Sequence, residues 1–251
     1  MFMGCIGRGV PTVILDSPSG MSSDAWFLVI SELSKFTKVC YYDRGGLGFS
    51  DRPFVNTTRT DSKEVKLSRA KPFTTERMVE DFHRLFTASS DQKKPFILVG
   101  ADLGAVNVKF YSQMFEENVF SLVLVNPLDE GMFGASNNQW IKMWHNKLVS
   151  FQTLQFLAAV GLSRVALILG VMKLPQHWQS ISKETEVRQK HLLCKPAHLS
   201  SVVDELFFAN ESLSQFRTVL RVKPFPKKDV SVISSGIYDR NLAPEVNKVC
   251  G

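Results

Sequence analysis

Cysteine is sparse in this chain. The four present, Cys5, Cys40, Cys194 and Cys250, form no C-x-x-C pair and no metal-ligand spacing. That excludes a zinc ribbon or a thioredoxin-type motif and predicts reduced thiols in an intracellular protein. No charged, apolar and small-residue succession opens the chain, so no secretory leader is read there. Acidic residues fall short of basic ones, leaving a net charge of +6, yet no basic tract is dense enough for a nucleic-acid surface. Neither a metal ion nor a cofactor is expected. What the chain has in quantity is apolar sequence: 44 % hydrophobic against 22 % charged over 251 residues. That suffices for the core of one α/β domain with an insertion, or of two small domains.

Strand and helix patterns alternate through the first half. Pro11–Leu15 reads as a buried strand, and Asp16-Ser17-Pro18-Ser19-Gly20 as a turn. Ser22, Ser23 or Asp24 can cap a helix that places Trp26, Val29, Ile30 and Leu33 on one face. Residues 1–10 contain no full strand. Lys38–Tyr42 is a second strand, running into the glycine-rich loop Asp43-Arg44-Gly45-Gly46-Leu47-Gly48-Phe49-Ser50-Asp51-Arg52-Pro53. That loop lacks the Lys-Ser/Thr of a phosphate cradle, and no helix follows it directly. Residues 54–73 are polar and mixed in charge, as a surface excursion would be. Met78, Val79, Phe82, Leu85 and Phe86 then mark a core-facing helix.

The segment Pro95–Val106 organises the rest. Phe96, Ile97, Leu98 and Val99 form an unbroken apolar strand, and Gly100 and Gly104 bracket Asp102 before a helix begins. A strand breaking at G-x-D-x-G into a helix has the layout of a nucleophile elbow. The turn tolerates no bulk on either side and pushes its central side chain out at the carboxyl end of the strand. Phe120–Asn126 is the next buried strand, followed by Pro127-Leu128-Asp129. Alternation with short joins predicts a doubly wound, mostly parallel sheet.

Taken together, the first strand, its small-residue turn, D-R-G-x-G-x-S-D-x-P and the elbow resemble the α/β-hydrolase fold over residues 11–128. An Asp at the elbow resembles epoxide hydrolases and haloalkane dehalogenases within that superfamily. The resemblance implies Asp102 as nucleophile and an oxyanion or substrate turn made by Ser17, Ser19 and Leu103, with the N–H donor falling on Ser19 or, in another register, on donorless Pro18. It implies Asp239, after the strand Asp229–Asp239, as the acid, with Asp129 as the alternative. The Arg and Asp of the glycine-rich loop take a structural part.

Other features of those families are missing. The five histidines are His83, His145, His177, His191 and His198, and none follows Asp239 where the family places its base. The insertion holds no tyrosine to activate an epoxide, and Leu103 stands where dehalogenases carry a halide-binding Trp. Measured against the fold, the chain reads as truncated at both ends.

The expected organisation is a first part of the hydrolase core at 1–129, a helical cap at 130–222 and a last core strand within 223–251. Within the cap, Leu154–Met172 is apolar enough for a span of ~20 residues. Arg164 at its centre and the Gly161-Leu162-Ser163 join point instead to two cap helices. Three functions stay open. The chain is a hydrolase-like protein impaired or inactive for want of a base, binding a small apolar ligand or a protein partner. Alternatively, it hydrolyses a small apolar epoxide, haloalkane or ester-like substrate through Asp102. Alternatively, it associates with a membrane surface through Leu154–Met172.

Overall fold

The computed structural model describes residues 1–53, 71–89, 94–134, 138–172 and 182–234. Six strands form one sheet: β1 (Met3–Ile6), β2 (Thr12–Asp16), β3 (Val39–Tyr42), β4 (Phe96–Ala101), β5 (Val119–Val125) and β6 (Asp229–Ile233). Their order is β1-β3-β2-β4-β5-β6, and every pairing is parallel except β1 on β3. This is the doubly wound, mostly parallel sheet that the sequence predicts. β4 lies inside it, paired with β2 on one side and β5 on the other, so its carboxyl end opens at the middle of the sheet edge.

Helices cover both faces. α1 (Phe27–Leu33), entered through a 3₁₀ turn at Ser23–Trp26, buries Trp26 and Ile30 against β2, β3 and β4. Val29, assigned to the same face, is exposed. On the other face α2 (Thr75–Ala88) and α3 (Leu103–Met114) pack with Phe82, Phe86, Phe110 and Tyr111 in the larger core. Phe82 sits edge-on to both Phe86 and Tyr111, the T-shaped geometry favoured by aromatic rings.

The helical segment comprises α4 (Asn138–Ala159), α5 (Leu162–Ile168), α6 (Lys183–Leu193), α7 (Pro196–Phe207) and α8 (Ala209–Val222). α4 packs on α7, and Trp144 Nε1 donates to the Leu206 carbonyl at 2.9 Å. α8 packs back on α2 and α3. The run Leu154–Met172 is two helices, broken at Gly161 in the left-handed region (φ 81°) and bent by 91°. Among the described residues no single helix is long and apolar enough to cross a membrane; only this bent pair passes, by length and composition.

Residues 1–10, expected to hold no full strand, contain the four-residue β1; Gly4, Gly7 and Gly9 dilute its β signal, and pairing with β3 supplies what local propensity lacks. One expectation fails here: that register sets Cys5 directly opposite Cys40, with Cα atoms 4.1 Å apart, and the two form a disulfide rather than reduced thiols. The surface excursion assigned to 54–73 lies almost wholly outside the described residues.

Candidate active site

β4 ends at Ala101 and α3 starts at Leu103, so Asp102 alone makes the turn. Its backbone sits at φ 54°, ψ −117°, a region that residues with a Cβ rarely adopt. The glycines explain how the turn closes. A Cβ on Gly100 would lie 2.3 Å from the Gly104 carbonyl oxygen, and one on Gly104 would lie 2.6 Å from that of Ser17. Helix, strand and the Ser17 turn therefore approach more closely than any larger residue permits. The Asp102 N–H is anchored on the Val125 carbonyl of β5 at 3.1 Å.

The carboxylate has been taken away from its local role. An Asp preceding a helix normally accepts an N–H from the first turn of that helix. Asp102 makes no such cap. Its Oδ2 accepts instead from the Ser19 N–H at 3.1 Å, on the turn after β2. The N–H that reaches the Asp102 carboxylate is thus that of Ser19; Pro18 has none to give. The Ser17 and Ser19 hydroxyls, both buried, find no partner among the described residues, and Leu103 is fully buried beneath the turn. Asp129 is exposed, its Oδ2 accepting the Gly131 N–H at 2.8 Å in a local turn. Asp239 lies outside the described residues, as does His177.

The other histidines are engaged elsewhere. His83 stacks on Phe115 with ring centroids 3.8 Å apart, at the far end of α3, roughly 20 Å along the helix from the elbow at helical rise. His198, buried in α7, accepts the Gly48 N–H on Nδ1 at 3.1 Å. Burial first, then the charges of Lys195 and His191, push its pKa down to about 4. His145 and His191 are exposed. Among the described residues no histidine hydrogen-bonds Asp102.

Arg44 and Asp43 of the glycine-rich loop both hold neighbouring backbone, a structural part, and sequence reasoning missed only the partner of Arg44 on α7. Arg44, from the glycine-rich loop, is buried and its guanidinium is fully engaged. Nη1 donates to Asp16 Oδ1 and the Ser17 carbonyl, both at 2.6 Å, and Nη2 donates to the Pro18 carbonyl at 2.8 Å. Nε and Nη2 grip Glu205 of α7 as a fork, at 2.7 and 3.0 Å. Glu205 Oε2 also accepts the Gly20 N–H, and Asn107 of α3 donates to Asp16 Oδ2. Burial alone would lower the Arg44 pKa, but Glu205 and Asp16 outweigh it and hold the guanidinium well above its ordinary value. The network clamps the Ser17–Gly20 turn between core and cap, which fixes the Ser19 N–H. The available signal was Glu205 itself, a carboxylate in register with the buried His198, Ser201 and Val202 of α7.

Strand order, elbow and turn define an α/β-hydrolase architecture. The alpha/beta hydrolase fold family model matches residues 11–197, and the chain belongs to that family. No curated protein matches it significantly. Similar solved structures include a candidate alpha/beta hydrolase from Nostoc sp PCC 7120, with TM-score 0.69 at 15 % identity, covering 99 % of this chain and 81 % of that one. A candidate epoxide hydrolase from Pseudomonas aeruginosa gives 0.66 at 15 %, covering 99 % and 80 %. A variant of the N-formylmaleamic acid deformylase from Pseudomonas putida gives 0.58 at 13 %, covering 99 % and 82 %. At these identities the likeness is one of fold.

Proposed function

We propose that this chain is a hydrolase-like protein that takes a small apolar electrophile at Asp102 and is impaired in turnover. The observation that carries the reading is the Asp102 carboxylate, freed from capping α3 and held through Oδ2 by the Ser19 N–H. Its other oxygen has no hydrogen-bond partner among the described residues, which leaves a lone pair for attack. Attack on a haloalkane carbon forms an Asp102 alkyl ester and releases halide; attack on an epoxide carbon opens the ring to an Asp102 ester whose alkoxide stays on the same alkyl group and takes a proton from water. A serine-type route on a carboxylic ester is disfavoured, because the product would be a mixed anhydride.

Impairment follows from the histidines. Hydrolysis of the ester needs a base to take a proton from water, and no described histidine reaches Asp102. Asp239 or Asp129 would orient such a base, a role that has nothing to act on without it. Ester formation and ester hydrolysis are then uncoupled. Incubation with a reactive epoxide or bromoalkane, followed by intact-mass spectrometry, tests this. One persistent adduct per chain is expected, absent from Asp102→Asn. Multiple turnovers by the unmodified chain, or an adduct retained in Asp102→Asn, would refute it.

A further inference from the structure

We infer that the corner formed by α4 and α5 docks on the surface of an anionic lipid bilayer. The inference is independent of the reading of Asp102. α5 leaves most of its large apolar residues in water. Its inward face is fully buried Ser163 with half-buried Ala166 and Leu167 at i+3 and i+4, while Ile168 and the following Leu169 stand 84 % and 70 % exposed. Leu162, Val165 and Leu169 fall at i, i+3 and i+7, one stripe, and all three are exposed.

α4 continues this surface. One face buries Trp140, Trp144 and Ala158 against the protein. Residues seven apart share a face, so Lys142, Val149 and Phe156 line the opposite side, with Val160 one turn beyond. All four are exposed, Phe156 at 64 %. The helix is therefore apolar on both sides at its carboxyl end, where only one side meets protein. An apolar stripe of this kind in water marks a surface that another apolar phase covers.

Charge selects the phase. A chain with 24 acidic residues places none between positions 138 and 172, where Lys142, Lys147 and Arg164 are the charged residues. All three are exposed; Lys142 and Arg164 lie beside the apolar stripe, while Lys147 is on the Trp144 side, its Nζ over that ring. Long basic side chains beside an apolar stripe reach into the headgroup layer while the stripe enters the acyl boundary. The 91° bend between α4 and α5 rules out a straight span and fits a corner lying in the interface.

Sedimentation of the full 251-residue chain with vesicles tests the inference. Binding to phosphatidylcholine/phosphatidylserine vesicles should exceed binding to pure phosphatidylcholine by at least about tenfold and should weaken in high salt. Ile168→Asp with Leu169→Asp should abolish it, and Lys142→Glu with Arg164→Glu should remove the preference for anionic lipid. These side chains are exposed, so circular dichroism and melting temperature should match the parent; should the aspartate pair unfold, the charge pair decides alone. Failure of the parent to bind either vesicle would overturn the inference. So would undiminished binding by both variants, or parent self-association that the aspartate pair abolishes without any vesicle binding. Adduct formation at Asp102 reads out separately from all of these.

Discussion

The backbone N–H of Ser19 lies 3.1 Å from Oδ2 of Asp102, a residue 83 positions later in the chain. Two turns at the carboxyl edge of one sheet, after β2 and after β4, make this contact because those strands are paired in parallel and end together, Asp16 beside Gly100. The contact fixes one carboxylate oxygen and leaves the other without a hydrogen bond among the described residues. Ser19→Pro deletes the donor. Adduct formation at Asp102 should then slow by roughly 10- to 100-fold, because the carboxylate is no longer held in line for attack. Time-resolved intact-mass spectrometry measures the rate, with melting temperature as the control for folding.

The Asp102 backbone gives a second expectation. At φ 54° and ψ −117° a residue with a Cβ is strained, and glycine is not. Asp102→Gly should stabilise the protein by about 1 kcal/mol while abolishing adduct formation, as expected where strain is kept for a function. Urea denaturation gives the sign. A stability loss in Asp102→Gly would mean that the carboxylate serves the fold.

The elbow, the parallel sheet and the split of Leu154–Met172 were all legible in the sequence for local reasons. Gly100 and Gly104 mark the close approach at the turn, and Gly161 marks the left-handed break between α4 and α5. What escaped depends on partners distant in sequence. β1 is a strand only because β3 pairs with it, and the Cys5–Cys40 disulfide exists only in that register. Glu205 stands on the buried face of α7, but nothing local says that its partner is Arg44, 161 positions away. The choice between Pro18 and Ser19 as donor needed the register of β2 against β4.

Glu205 and Arg44 are both buried, and removing one partner leaves the other charge without its fork. Glu205→Leu should cost about 3 kcal/mol, near the low end for breaking a buried pair because Asp16 still faces Arg44. Arg44→Met together with Glu205→Leu should cost less than the sum of the single changes. Chemical denaturation of the four proteins gives the coupling. Strict additivity would show that the clamp between core and cap is energetically idle.

Gly104 tests the packing of the elbow itself. A Cβ there would meet the Ser17 and Asp16 carbonyl oxygens at 2.6 and 2.7 Å, and backbone cannot swing aside as a side chain does. Gly104→Ala should destabilise the protein by about 1–3 kcal/mol. It should also slow adduct formation, since the displaced turn carries the Ser19 donor. An unchanged unfolding midpoint would show that the turn yields without cost.

The last prediction concerns acid. His198 is buried, and its Nδ1 accepts a hydrogen bond from Gly48 in the folded chain, so the native state holds the ring neutral. Its folded pKa lies near 4, below the value of about 6.5 expected when the chain unfolds. Between those two values the unfolded state binds a proton that the folded state refuses. Stability therefore rises with pH across this window and falls as the solution is acidified from about pH 6.5 toward 4, at up to ~1.4 kcal/mol per pH unit. Below about pH 4 both states are protonated at this site and its contribution to the slope vanishes. His198→Asn keeps an acceptor near Nδ1 but cannot titrate. It should remove up to one proton's worth of slope between about pH 4 and 6.5, leaving the part due to other groups. Urea midpoints at several pH values measure both proteins, and identical slopes would show that His198 takes up its proton equally well in the folded state.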